Sequence, residues 1–251
     1  ANDGLRVDGR ELQCRVIGEG GNLGMTQRGR VEFCLRGGLC NTDFIDNAAG
    51  VDCSDHEVNI KILLNSVVRN GDLTQKQRNK LLSDMTNEVS ELVLNNNYLQ
   101  TETLSLEEFS AAETIDLFQR YVVALEKKGK INRELECLPS DEEIAERKAL
   151  GQGFTRPEIA VLMAYDKTLL KEQILNSDLP EDPYFLPMLY SAFPKVLCEK
   201  YKDEMNNHSL KREIIATQLS NCVTNAMGIN FVSRLHVETG APVPFIVRVY
   251  M

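Results

Sequence analysis

Four absences narrow what this sequence can do. No apolar run approaches the ~18 residues that a bilayer-spanning helix needs, and the start lacks the charged, apolar, small-residue order of a secretory signal, so a soluble protein is expected. Positive charge is not in surplus: 28 Lys and Arg stand against 37 Asp and Glu, a net charge of -9. The first seventy residues and the remainder are both mildly acidic. Neither offers the clustered basic face that nucleic acid or an anionic membrane requires, so partners of those classes are not expected. The fourth absence is a C-x-x-C pair. The seven cysteines (14, 34, 40, 53, 137, 198, 222) are odd in number and sit mostly in apolar stretches. That favours reduced thiols in a cytoplasmic protein over a disulfide framework or a zinc site.

What is present divides the chain in two. Leu12 to Ile17 is a short β-prone run, Gly18 to Gly24 is glycine-rich, and Thr26 to Arg36 has helical character. A second strand-like run follows Gly37-Gly38 and reaches Ile45, then a small-residue loop at Asn47-Ala48-Ala49-Gly50, then a helix from Asp55. The order strand, loop, helix, strand, loop, helix fits a piece of parallel, doubly wound sheet. The chain opens without Met, as Ala1-Asn2-Asp3-Gly4, which reads as an excised piece or a processed start.

Beyond that point the spacing is helical. Ile60, Leu63, Leu64 and Val67 recur at i, i+3, i+4 and i+7 and end at Asn70-Gly71, a C-cap. Thr74 with Gln77, and Ser140 with Glu143, have capping-box spacing, and Thr155 with Pro157 and Glu158 marks another helix start. Helices are predicted at about 106–128, 141–150, 157–176, 184–205 and 210–235, and only the last few residues alternate like a strand. The fold class expected is therefore mainly α: a Rossmann-like α/β remnant over residues 1–71 and an all-helical domain over residues 72–251.

Two loops carry the chemistry. In Gly18-Glu19-Gly20-Gly21-Asn22-Leu23-Gly24, backbone N–H groups can approach a phosphate closely because glycine has no Cβ. Leu23 occupies the third glycine position of the dinucleotide fingerprint, and the plainer reading is a tight turn that needs glycine conformations. In the second loop, Asn47 can donate and accept at once, and Ser54 lies near the expected helix start, where a carboxylate is favoured. Its plainer reading is capping of a turn and a helix. Adjacent side chains on a helix diverge by about 100°, so Asp55-His56-Glu57 reads as solvated first-turn residues rather than a metal site. The helix Arg156 to Ala164 is apolar nearly all round, which marks a buried central element.

At these loops the sequence resembles the NAD-specific glutamate dehydrogenases of the very long bacterial type. The resemblance runs through Val16 to Arg30, through Asn41 to Asn59, and again through Thr155-Arg156-Pro157-Glu158-Ile159-Ala160-Val161-Leu162, so it covers nearly the whole chain. Glu19 to Thr26 and Asn47 to Ser54 are also similar to two motifs of the shorter, hexameric glutamate dehydrogenases, from which Leu23, Gly24, Asp52 and Cys53 depart. The resemblance implies NAD as cofactor and oxidative deamination of L-glutamate to 2-oxoglutarate and ammonia. It implies that Asn22 and Asn47 face the nicotinamide-ribose side of the cofactor and that Ser54 helps bind the side-chain carboxylate of glutamate; Gly20 and Gly21, whose bare backbone can approach a phosphate, are the other cofactor contacts expected. The family's catalytic Lys and Asp, which lie in a substrate-binding domain, are not visible here, so no catalytic residue is assigned and the chain alone is expected to be inactive. A homo-oligomer is expected of such an enzyme. The alternative is a helical oligomerisation or regulatory module with a small nucleotide-phosphate-binding appendage.

Overall fold

A computed structural model describes residues 6–251; the opening Ala1-Asn2-Asp3-Gly4 lies outside the described residues. The described chain is 70% helix and 2% strand, which makes it mainly α. The strands are β1 (Val16–Ile17) and β2 (Leu39–Cys40), parallel, with Val16 opposite Leu39 and Ile17 opposite Cys40. Between them runs α1 (Gln27–Leu35), whose N-cap Thr26 accepts a hydrogen bond from the Gly29 N–H.

Two expectations near the second strand are overturned. The strand-like run does not reach Ile45, because β2 ends at Cys40 and a four-residue helix, α2 (Asp43–Asp46), begins after Thr42. The Thr-Asp pair suits a helix start better than a strand interior. Nor is there a second loop: α3 runs without interruption over Ala48–Asn70. Alanine is the best helix former, so Ala48-Ala49 carries the helix through residues that composition alone marks as loop. Asp55-His56-Glu57 is consequently mid-helix, with His56 buried and its two neighbours exposed, rather than a solvated first turn.

The remaining helices are α4 (Gln75–Asp84), α5 (Thr86–Ser110), α6 (Ile115–Lys127), α7 (Asp141–Ala149), α8 (Arg156–Leu175), α9 (Leu186–Ser191), α10 (Lys195–Lys200), α11 (Lys202–Asn206), α12 (Lys211–Met227), α13 (Phe231–Thr239) and α14 (Val243–Tyr250). The capping boxes at Thr74/Gln77 and Ser140/Glu143 form, and α3 ends at Gly71 with φ +88°. The predicted span 184–205 is broken into short helices, with Pro194 as N-cap of α10, and 210–235 is divided at Gly228, φ +84°. The last residues are helical, not extended: Pro242 and Pro244 start α14, and Val243, Ile246 and Val247 bury one face.

The chain forms two compact units. One comprises the residues up to Ala48 with Gln100–Tyr165 and holds the small sheet. Its buried side chains include Phe33, Ile45, Leu104, Phe118, Leu125, Phe154 and the Ile159–Met163 run of α8, which is the buried helix that its apolar circumference predicts. The other comprises Ala49–Leu99 with Asp166–Met251. Its core gathers Leu63, Leu64 and Val67 of α3 with Ile174, Leu189, Ile215, Leu219 and Val247.

Candidate functional site

The glycine-rich loop between β1 and α1 is held by a set of acidic side chains. Asp46, at the end of α2, accepts the Glu19 N–H at 2.8 Å and the Asn41 amide at 2.7 Å. Asp43 accepts the Leu23 N–H at 2.9 Å, and that bond, reinforced by Arg30, lowers the Asp43 pKa below the usual carboxylate value. Glu19 turns inward, is 6% exposed, and pairs with Arg30, itself 5% exposed, through contacts of 2.5 and 2.9 Å. The same carboxylate accepts the Met25 N–H at 2.9 Å. Burial opposes the Arg30 charge, but Glu19 and Asp43 outweigh it and raise the Arg30 pKa above its ordinary value. Both ends of the loop are thus tied to charged groups that are hydrogen-bonded on several sides, the condition under which buried charges are tolerated.

Within this frame the loop has an unusual division of labour. Gly18, Gly20, Gly21 and Gly24 do not adopt the left-handed conformation; the residue that does is Leu23, at φ +60° and 85% exposed. A Cβ added at Gly18, Gly20 or Gly21 would meet nothing within 4 Å. Neither backbone conformation nor internal packing calls for glycine at these three positions, so the tight-turn reading loses its physical basis there. What the missing side chains leave is clearance above the loop backbone. Gly24 differs, since a Cβ there would lie 3.1 Å from the Glu19 carboxylate.

Asn22 sits on this loop and Asn47 caps the end of α2, and the structure brings them together: the Asn47 amide donates to the Asn22 side-chain oxygen at 2.6 Å. The bond uses one donor and one acceptor. It leaves the Asn22 amino group, the Asn47 oxygen and the second Asn47 N–H for a ligand. Asn41, next to these, also accepts from Arg156 Nε at 2.5 Å, and Arg156 reaches Ser105, Glu108 and the Thr101 carbonyl.

Ser54 belongs to the other unit. It lies seven positions inside α3, exposed, with its hydroxyl donating to the Gly50 carbonyl at 3.2 Å. Helix-start electrostatics therefore does not act on it, because the dipole effect fades within the first turn. Nearby on the same helix, Asp52 accepts the Asn96 amide at 2.8 Å and lies 3.7 Å from the buried His56 imidazole. Among the described residues no group of three or more His, Cys, Asp and Glu side chains is placed to hold a metal ion. No helix among them is long and apolar enough to cross a membrane.

Sequence reasoning missed Glu19, Arg30, Asp43 and Asp46 as the supports of the loop. The pairings Glu19–Arg30, Leu23–Asp43 and Glu19–Asp46 span between 11 and 27 positions of sequence, and no local spacing announces them.

Comparison with known proteins bears on the same residues. Residues 1–107 match the family described as bacterial NAD-glutamate dehydrogenase, catalytic domain, and residues 151–251 match glutamate dehydrogenase, C-terminal. The NAD-specific glutamate dehydrogenase of Pseudomonas aeruginosa is 60% identical over 240 residues, 96% of this chain and 15% of that protein. Those of Halomonas elongata and Mycobacterium tuberculosis are 56% and 44% identical over 251 residues, the whole of this chain and 16% of each protein. The chain thus spans less than a fifth of the length of the curated relatives it matches.

Proposed function

We propose, from the premise that the chain belongs to the bacterial NAD-glutamate dehydrogenase family, that it supplies the cofactor-facing end of that enzyme's catalytic domain together with helices that follow it. The reaction assigned to the whole protein is oxidative deamination of L-glutamate to 2-oxoglutarate and ammonia. NAD, when bound, would supply the hydride acceptor for this oxidation.

The observation that carries this reading is the Asn22–Asn47 hydrogen bond. It orients both amides, so their remaining donors and acceptor are preset for a carboxamide or ribose hydroxyl, and preset groups lose less entropy on binding. The clearance over Gly20 and Gly21 supports a second contact, in which the bare loop backbone meets the cofactor. The residues present therefore fit one side of a dinucleotide. Ser54 is the proposed contact for the glutamate side-chain carboxylate. Its exposed hydroxyl can turn from the Gly50 carbonyl to a ligand at small cost, since such back-bonds within a helix are weak.

The parallel β1–β2 pair, with a helix between its strands, supports reading residues 1–71 as the end of a Rossmann-like sheet and 72–251 as the helical domain. The family match to the catalytic domain itself continues to residue 107. Catalytic groups are assigned outside this chain, which alone is proposed to be inactive. A cytoplasmic homo-oligomer is the assembly we propose for the whole protein.

The test uses the full-length enzyme. Asn22→Ala and Asn47→Ala should each raise the KM for NAD by roughly tenfold, the worth of a neutral hydrogen bond near 1.4 kcal/mol, with the glutamate KM unmoved. An unchanged NAD KM in both variants defeats the reading.

A further inference from the structure

Independently of the dinucleotide reading, we propose that Cys34 and Cys40 form an oxidation site, a thiol pair that hydrogen peroxide converts to an intrachain disulfide. Cys34 is in the last turn of α1 and Cys40 ends β2, and their sulfurs lie 3.5 Å apart. The turn between them is built to close at this point. The Gly37 N–H donates to the Cys34 carbonyl at 2.9 Å and the Gly38 N–H to the Phe33 carbonyl at 3.0 Å. Gly37 has φ +86°, and a Cβ on Gly38 would come within 2.5 Å of the Phe33 ring, so both positions require glycine. The Cys198 sulfur, by contrast, faces the carbonyls of Tyr190 and Phe193.

The two thiols are not equivalent. Cys40 is 4% exposed, whereas Cys34 is half-buried and within reach of a small oxidant. The hydrogen bond with Cys40 lowers the Cys34 pKa, and the same contact together with burial raises that of Cys40. Cys34 is therefore the attacking thiolate, the species that reacts. Its sulfur attacks one peroxide oxygen, the O–O bond breaks, and hydroxide leaves, giving Cys34 sulfenic acid. The Cys40 sulfur then attacks the Cys34 sulfur, the S–O bond breaks, and the Cys40 proton leaves with the departing oxygen as water. Two thiols are oxidised by two electrons in total, and one peroxide is reduced to two waters.

Tryptic cleavage after Arg36 separates the two cysteines, placing Cys34 in Val31–Arg36 and Cys40 in Gly37–Lys61. In the whole chain treated with stoichiometric peroxide, these two peptides should appear joined, lighter by two hydrogens than their sum, and separate again on reduction. Gly37–Lys61 also contains Cys53, so the link must persist in Cys53→Ser. In Cys40→Ser the link should be lost, with Cys34 captured by dimedone as the most heavily labelled cysteine. The proposal is overturned when wild-type Cys34 and Cys40 both stay alkylatable after peroxide, when Cys34 is over-oxidised without a link, or when the link vanishes in Cys53→Ser. The wild-type peptide map decides the matter even where Cys40→Ser fails to fold.

Discussion

Gly21→Ala separates the two explanations for the glycine-rich loop because they predict opposite outcomes. Gly21 is outside the left-handed region, and a methyl group there meets no atom of the chain within 4 Å. Alanine is thus admissible, and its narrower unfolded ensemble should stabilise the chain by about 0.4–1 kcal/mol. At this chain length that is a rise of about 1–4 °C in melting temperature. Were the loop backbone to meet an anionic cofactor, the same methyl would hold it off and remove a hydrogen bond to a charged group. Such a bond is worth roughly 1.5–3 kcal/mol, or about one to two decades in affinity. The assay pairs thermal denaturation of the 251-residue chain with the NAD KM of the full-length enzyme carrying the same substitution. Higher stability with weaker NAD binding supports the proposed contact. A variant that is stabilised and keeps its NAD KM refutes it, and one that is destabilised refutes the geometric argument beneath it.

Other expected outcomes follow from single features. Arg30→Leu strands Glu19, whose second oxygen then lacks the Arg30 donor, and should cost about 3–5 kcal/mol, seen as a melting-temperature drop of about 10 °C; a loss under about 1 kcal/mol counts against the buried pair. Ser54→Ala should leave stability unchanged, because its hydroxyl is exposed, and raise the glutamate KM about tenfold or more in the full-length enzyme; an unmoved glutamate KM removes its assigned role. Burial pushes the Lys167 pKa down to about 8. The folded chain then releases this proton before the unfolded chain does, near ~10.4, so between those values the unfolded state binds more protons and stability rises with pH. Lys167→Met should therefore be more stable than wild type at neutral pH, with the gap closing toward pH ~10; a pH-independent gap contradicts the assignment.

How legible each feature was depended on the range of the interactions that produce it. The starts of α4 and α7 were readable because Thr74/Gln77 and Ser140/Glu143 satisfy orphan N–H groups within three residues. The buried run Ile159–Met163 announced itself by lacking a polar face. The start of α3 was hidden because Asn47 to Gly50 has loop composition, yet Ala48 to Gly50 open a helix whose stability comes from packing of Ile60, Leu63 and Leu64 farther along. Pro194 and Gly228 were visible as residues, but their power to split a helix depends on context. At the candidate site, the motif pointed to Asn22 and Asn47 together. The charged frame around them was unreadable, since Glu19, Arg30, Asp43 and Asp46 meet only once the chain has folded. Leu23 ran against expectation: strain sits on a leucine while neighbouring glycines are conformationally unremarkable.

The shortest α-helix described in the sheet-bearing unit has a consequence out of proportion to its size. From one turn of α2 and its cap come three grips on the glycine-rich segment: Asp43 on the Leu23 amide, Asp46 on the Glu19 amide, and Asn47 on the Asn22 side chain. A strap fastened at three points to one short rod cannot peel away residue by residue. It swings with the rod or lets go altogether, so the Glu19 and Leu23 amide protons should exchange with solvent at a common rate set by α2.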